Sequence, residues 1–71
     1  MPIDIPRVTE TLDMNEAPFE EVSWDVDDDG ESIILVACKS PTAARQCARA
    51  LQNDDELDEI WIAGSFVEVA V

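Results

Sequence analysis

The fold is decided by residues 32–51, which read SIILVACKSPTAARQCARAL. Residues 33–38 are apolar without interruption, and such a run is typical of a strand that is covered on both faces. Ser40 and Pro41 then mark a helix start, because serine caps free backbone N–H groups and proline fits the first helical position. The stretch therefore predicts a central strand followed by a helix.

The predicted helix has one apolar face built from small residues. The spacing i, i+3, i+4 and i+7 defines that face, and it is occupied by Ala44, Cys47, Ala48 and Leu51. Small side chains allow the helix to lie close against a sheet. Arg45 and Arg49 fall on the other side, where we expect them to balance the acids of residues 54–59 or Glu68.

A β-hairpin is predicted before the helix. Residues 19–26 alternate, with Val22, Trp24 and Val26 on one face, and a period of two indicates a half-buried strand. Asp29-Gly30 then forms a tight turn into the central strand. We expect Trp24 and Trp61 to pack in the sheet core, the alternative being that one of them is an exposed anchor for a partner.

The C-terminal part of the chain predicts two further strands. Residues 60–63 read as one strand, Gly64-Ser65 suits a two-residue turn, and residues 66–71 read as the other. Alternatively, Gly64 bends a single long strand. Residues 66–71 could form an exposed sheet edge that pairs with another chain.

Residues 1–18 are punctuated by Pro2, Pro6 and Pro18. We expect an extended arm with an edge strand around residues 5–12, where proline is tolerated, although Val8 and Leu12 could also share one helical turn. The whole chain, residues 1–71, is then a single domain of the order (β)ββαββ. Its predicted class is α+β in two layers, an antiparallel or mixed sheet with one helix packed on one face.

The composition excludes several classes of function. The 71 residues contain 17 Asp and Glu, four Lys and Arg and no His, for a net charge of −13. Direct binding of nucleic acid needs cations to neutralise phosphates, and without His no Ser-His or Cys-His pair can form. We therefore expect no enzyme activity, no cofactor and no direct nucleic-acid partner, but a basic protein partner.

Two cysteines and the absence of a leader-like segment favour a reduced compartment. Cys38 and Cys47 lie nine residues apart without a CxxC motif, and we expect them to pack in the core as small apolar residues. A disulfide would need the strand and the helix to meet, and a cytosolic setting opposes it. No apolar run is long enough to span a bilayer, so we expect a cytoplasmic protein without a membrane partner.

Residues 25–30 read DVDDDG and match the first half of an EF-hand loop. Position 12 of such a loop should be a bidentate glutamate, and here it is Val36. The flanking segments also read as strands rather than helices. An acidic hairpin turn explains the motif better than a calcium site, and we expect no metal ligands in the chain.

Acidic residues form two clusters that are the candidate partner-binding sites. The hairpin cluster consists of Glu20, Glu21, Asp25, Asp27, Asp28, Asp29 and Glu31, and the linker cluster of Asp54, Asp55, Glu56, Asp58 and Glu59. Three interpretations stay open: an ordinary solvated surface, adaptation to high salt, and carboxylates arranged to resemble the phosphates of DNA.

The organisation of the chain is similar to that of a known group of proteins. A small acidic domain carries a VTET segment at residues 8–11, a hairpin through Asp29-Gly30, a helix capped by Ser40 and an IWIAGS strand at residues 60–65. In these points it resembles the phage-encoded anti-CRISPR proteins directed at type I surveillance complexes. The resemblance implies a non-enzymatic protein that binds a Cas subunit and blocks recognition of target DNA. These inhibitors share no motif, so no functional residue is transferred from them.

The sequence thus predicts an acidic DNA mimic that occupies the DNA-binding groove of a type I surveillance complex in the cytoplasm of a bacterial host. Both acidic clusters would engage Lys and Arg of that groove, and a monomer is favoured. The alternatives are an inhibitor of another DNA-binding enzyme, a general acidic interaction module, or a halophilic domain of unrelated function.

Overall fold

A computed structural model describes residues 3–57 and 59–71. Its elements are α1 (Ile5–Met14), β1 (Phe19–Val26), β2 (Ser32–Cys38), α2 (Pro41–Leu51), β3 (Ile60–Ala63) and β4 (Phe66–Ala70). The predicted α+β class is confirmed, and of the two sheet types that the sequence left open, antiparallel or mixed, the structure has the antiparallel one. The prediction of a single helix is wrong, because a second helix occupies the N-terminal region.

The four strands form one antiparallel sheet in the order β1-β2-β4-β3. The prediction that β2 is central is confirmed, since it pairs with both β1 and β4. The edge strands are β1 and β3, so the prediction that residues 66–71 form an exposed edge is wrong. β4 is internal because α2 carries the chain across the sheet and the β3–β4 hairpin then turns back against β2.

The turn between β3 and β4 has the predicted two residues. Ala63 pairs with Phe66 across it, and Gly64 has a φ of +61°. A positive φ at the first central position is what a type II′ turn requires, and glycine adopts it without a steric penalty. The alternative of one long bent strand is therefore wrong.

Residues 5–14 form α1 and not the predicted extended arm or edge strand. The Asp4 side chain accepts a hydrogen bond from the Arg7 N–H at 3.0 Å, which caps the helix. Pro6 lies in the first turn, where a backbone N–H has no partner within the helix and proline is therefore tolerated. Val8 and Leu12 are fully buried on one face, so the i, i+4 alternative was the correct one.

One hydrophobic core lies between the two helices and one face of the sheet. Its fully buried members include Val8 and Leu12 of α1, Cys47 and Leu51 of α2, and Ile34, Val36, Val67 and Val69 of the sheet. We call this side of the sheet the covered face. Leu57, from the acidic linker, is also buried in the core and ties that linker to the fold.

The opposite side of the sheet, which we call the open face, has no described element over it. Directly paired residues of antiparallel strands point to the same side. The open face therefore consists of Glu21, Ser23 and Asp25 of β1, Ile33, Leu35 and Ala37 of β2, Phe66, Glu68 and Ala70 of β4, and Trp61 and Ala63 of β3. β2 was predicted to be covered on both faces, and the helices cover only one.

The two tryptophans are exposed, and the prediction that they pack in the core is wrong. Each retains 51% of its accessible surface. Trp24 pairs with Ile34 and so points to the covered face, but it lies on an edge strand, where the helices do not bury it. Trp61 pairs with Glu68 and points to the open face.

Candidate protein-binding surfaces

Acids from both predicted clusters meet at one end of the sheet. Asp25 pairs with Ile33, which pairs in turn with Ala70, and the Ala70 N–H donates to the Glu59 carbonyl at 3.0 Å. Glu31, Glu56 and Glu59 line one shallow depression beside Ala70. We define the acidic end as Asp25, Asp28, Asp29, Glu31, Glu56 and Glu59, all of which are exposed.

The β1–β2 turn is held in shape by Asp27. Its carboxylate accepts hydrogen bonds from the N–H groups of Asp29 at 2.9 Å and Glu31 at 2.8 Å. The Gly30 N–H donates to the Asp27 carbonyl at 3.0 Å, and Gly30 has a φ of +82°. Asp27 therefore positions the turn, and Asp28 and Asp29 carry the charge at its tip.

The linker is fastened to α1 by Arg7, which sequence reasoning did not single out. Arg7 donates through Nε and Nη2 to the two carboxylate oxygens of Asp54, at 3.0 and 2.9 Å, and through Nη1 to Glu56 at 3.1 Å. The Asp54 carboxylate also accepts from the Glu56 N–H at 3.1 Å. Asp54 is thus a structural residue, and the cation that meets it is Arg7 rather than Arg45 or Arg49.

These contacts shift the pKa values of the pair. The Glu56 N–H, and after it the Arg7 guanidinium, hold the pKa of Asp54 below its ordinary value because both favour the ionised carboxylate. The hydrogen bond to Asp54 raises the pKa of Arg7. Both groups are therefore charged at neutral pH.

The structure separates the other predicted site residues from the acidic end. Glu20 and Glu21 lie at the far end of β1, where Glu21 pairs with Ala37. Asp27 lies six positions along the chain from Glu21, which is about 20 Å at the usual rise per residue of a strand. Asp55 is exposed on the linker, and Asp58 lies outside the described residues.

The remaining cations lie away from the acidic end or on the helix layer. Lys39 follows β2 at the end opposite the β1–β2 turn, and Arg45 and Arg49 are exposed on α2. Arg45 donates to the Thr42 hydroxyl at 3.2 Å. The acidic end therefore keeps most of its negative charge facing solvent.

Within residues 3–57 and 59–71, no group of three or more Cys, Asp and Glu side chains is placed to hold a metal ion. Val36, at the twelfth position of the partial EF-hand match, is fully buried in the core. In the same residues no polar or charged residue is buried. None of the described helices is long and apolar enough to cross a membrane.

No protein-family model, curated protein or solved structure matches this chain significantly.

Proposed function

We propose that the protein is a non-enzymatic inhibitor that mimics DNA and occupies the DNA-binding groove of another protein. The observation that carries this proposal is the acidic end, where carboxylates from the β1–β2 turn and from the linker face solvent together. Duplex DNA presents about one negative charge per 1.7 Å of its axis. Carboxylates clustered on ordered backbone compete for the same Lys and Arg side chains.

Rigid placement of the charges supports this function over that of a flexible acidic tail. Asp27 holds the turn through two backbone hydrogen bonds, and Arg7 holds the linker. A preorganised surface loses less conformational entropy on binding. The net charge of −13 also attracts a basic groove over a distance and speeds association.

We propose a Cas subunit of a type I CRISPR surveillance complex, in the cytoplasm of a bacterial host, as the specific target. Small size, acidity and the resemblance described above support this target. Another DNA-binding enzyme is the alternative, because the acidic end by itself is complementary to any groove of suitable width.

The test is binding to a purified type I surveillance complex, with and without its target DNA, at several salt concentrations. We expect inhibitor and DNA to exclude one another, and the affinity to fall steeply with salt because exposed ion pairs are screened. Binding that ignores DNA would rule out mimicry. No binding to any type I subtype would rule out the CRISPR target and leave other DNA-binding enzymes to be tested.

A matched pair of variants separates the acidic end from net charge. Asp28→Asn with Asp29→Asn removes two charges at the tip, whereas Glu20→Gln with Glu21→Gln removes two at the far end of β1. We expect the first pair to weaken binding by about tenfold and the second by much less. Equal losses would mean that bulk charge, and not the acidic end, drives binding. Asp27 stays unchanged because its carboxylate holds the turn.

A further inference from the structure

The open face of the sheet is apolar at its centre although neither helix packs against it. Ile33 is only 4% exposed, and Leu35 and Ala37 are half-buried, whereas Phe66 and Trp61 are 44% and 51% exposed. Phe66 lies diagonally opposite both Leu35 and Trp61 in the register, within reach of large side chains. Contiguous apolar surface of this kind marks interaction sites.

A carboxylate lies in the middle of this apolar band. Glu68 of β4 pairs with Leu35 on one side and with Trp61 on the other, and it is half-buried. Glu21 and Asp25 lie on the same face along β1. None of the paired positions of the open face is a Lys or Arg, so the face combines apolar contact area with negative charge.

This charge pattern selects among possible occupants. A second copy of the chain would bring a face with the same three carboxylates, Glu68, Glu21 and Asp25, against this one. No paired position of either face supplies a Lys or Arg to offset them, and like charges in an interface are unfavourable. An arginine is complementary, because its guanidinium can stack on the Trp61 ring and pair with the Glu68 carboxylate. Apolar neighbours of that arginine would meet Leu35 and Phe66.

We propose that the open face binds a protein segment that presents an arginine flanked by apolar side chains, with Trp61 and Glu68 as the anchor. This second binding surface is centred on Trp61 and Glu68, shares only Asp25 with the acidic end, and does not depend on DNA mimicry. An inhibitor with both surfaces could hold a basic groove through one and the adjoining protein surface through the other.

The experiment selects a displayed library of random twelve-residue peptides against the immobilised full-length protein in 150 mM salt. We expect enriched peptides to pair arginine with leucine, isoleucine or an aromatic residue. The Trp24→Phe variant leaves Trp61 as the sole tryptophan. Binding of a synthetic peptide with a selected sequence should therefore change the fluorescence of Trp61. A scrambled peptide of the same composition controls for non-specific attraction to the acidic chain.

Variants then locate the site. Trp61→Ala and Glu68→Gln should each lower the affinity for the selected peptide by about tenfold or more, as substitutions of anchor residues do. Trp24→Ala is the matched control, since Trp24 has the same 51% exposure on the covered face, and it should change the affinity less than about twofold. Asp28→Asn with Asp29→Asn should also leave it nearly unchanged, which separates this site from the acidic end.

Three outcomes would overturn the proposal. The first is a set of enriched peptides in which arginine does not occur together with leucine, isoleucine or an aromatic residue. The second is a peptide whose binding depends on Trp24 and not on Trp61. The third is self-association of the free protein that Trp61→Ala abolishes, which would assign the open face to a second copy. None of these outcomes bears on the DNA-competition test, so each proposal can fail alone.

Discussion

At the scale of single residues, the Cys47 thiol lies where ionisation is costly. It is fully buried, and its Sγ is 3.5 Å from that of Cys38. Burial, and after it the hydrogen bond with Cys38, raises the pKa of Cys47 to about 12. Both cysteines are free and buried, and their burial was predicted from their positions on a buried strand and an apolar helix face.

This thiol makes stability depend on pH above the neutral range. In the unfolded chain its pKa is about 8.5, so the folded state binds the proton more tightly. The resulting stabilisation is complete below that value and is lost as the pH rises toward about 12. We expect the free energy of unfolding, measured with urea under reducing conditions, to fall between pH 8 and pH 10.

The Cys47→Ala variant is the control for this fall in the free energy of unfolding with pH. It removes the titrating group, and the chain contains no tyrosine that would titrate in the same range. Its free energy of unfolding should vary less with pH than that of the wild type. Equal slopes in the two proteins would contradict the assignment.

Glu16 holds a backbone conformation that glycine would adopt with less strain. Its φ is +54°, and the hydrogen bonds from the Ala17 N–H to Leu12 and from the Glu16 N–H to Asp13 form a Schellman-type end to α1. Glu16→Gly should raise the free energy of unfolding by about 0.5–1 kcal/mol, because strain and a charge unfavourable to the helix dipole are removed.

Glu10→Gly provides the contrast, because Glu10 is exposed in the interior of α1. There glycine should cost about 1 kcal/mol. Urea titration of both variants measures the difference. Destabilisation by Glu16→Gly of the same size as that by Glu10→Gly would show that the positive φ carries no strain.

At the scale of elements, α1 was the segment that local patterns predicted least well. Its two nearby prolines suggested an extended arm, yet Asp4 as the N-cap and Pro6 in the first turn are a helix-start signal. That signal, with Val8 and Leu12 four residues apart, was present in the sequence. What decides between helix and strand is the apolar face of α2 and the sheet, against which α1 packs.

The contact between Arg7 and Asp54 should couple α1 energetically to the linker. Arg7→Met and Asp54→Asn should each lower the melting temperature. The drop in the double variant should be smaller than the sum of the two single drops, because both changes remove the same ion pair. Asp55→Asn changes the exposed neighbouring position, and its effect on the melting temperature should simply add to that of Arg7→Met. Thermal unfolding at pH 7 measures all five variant proteins against the wild type.

The coupling should also depend on pH. Because the pKa of Asp54 is lowered in the folded state, its contribution is present above the unfolded value of about 3.9 and is lost as the pH falls through the folded value. The double-variant coupling should therefore be smaller at pH 2 than at pH 7. Independent effects of Arg7→Met and Asp54→Asn at pH 7 would contradict an energetic coupling between α1 and the linker.

At the scale of the whole molecule, self-repulsion opposes folding. A net charge of −13 is spread over 71 residues, and the described ion pairs that offset it are those of Arg7 with Asp54 and Glu56. Compact states of highly charged chains are destabilised by repulsion that salt screens. The stability of this protein should therefore rise with ionic strength.

We expect the melting temperature to rise between 10 mM and 300 mM salt. For a domain of this size, a gain of about 1 kcal/mol in the free energy of unfolding raises the melting temperature by roughly 4–8 °C. A flat or falling melting temperature would contradict the prediction. A chain that folds only in molar salt would instead support the halophilic alternative, because screening alone is complete well below that concentration.

Sequence by itself determined the features that depend on neighbours along the chain. The cap at Ser40, the turns at Gly30 and Gly64 and the apolar run of β2 follow from local backbone preferences and periodicity. From these, the α+β class and the central position of β2 could be predicted. The composition alone also gives the net charge, and the expectation of a basic partner follows from that charge.

Only the tertiary structure decided which distant groups meet and which faces stay open. The ion pair of Arg7 with Asp54 spans 47 residues, and Glu31 approaches Glu59 because β2 pairs with β4 across the α2 crossover. Trp61 is exposed because both helices pack on the other side of the sheet. Such facts depend on long-range strand pairing, and a period-two pattern does not encode which partner a strand takes or which of its faces a helix covers.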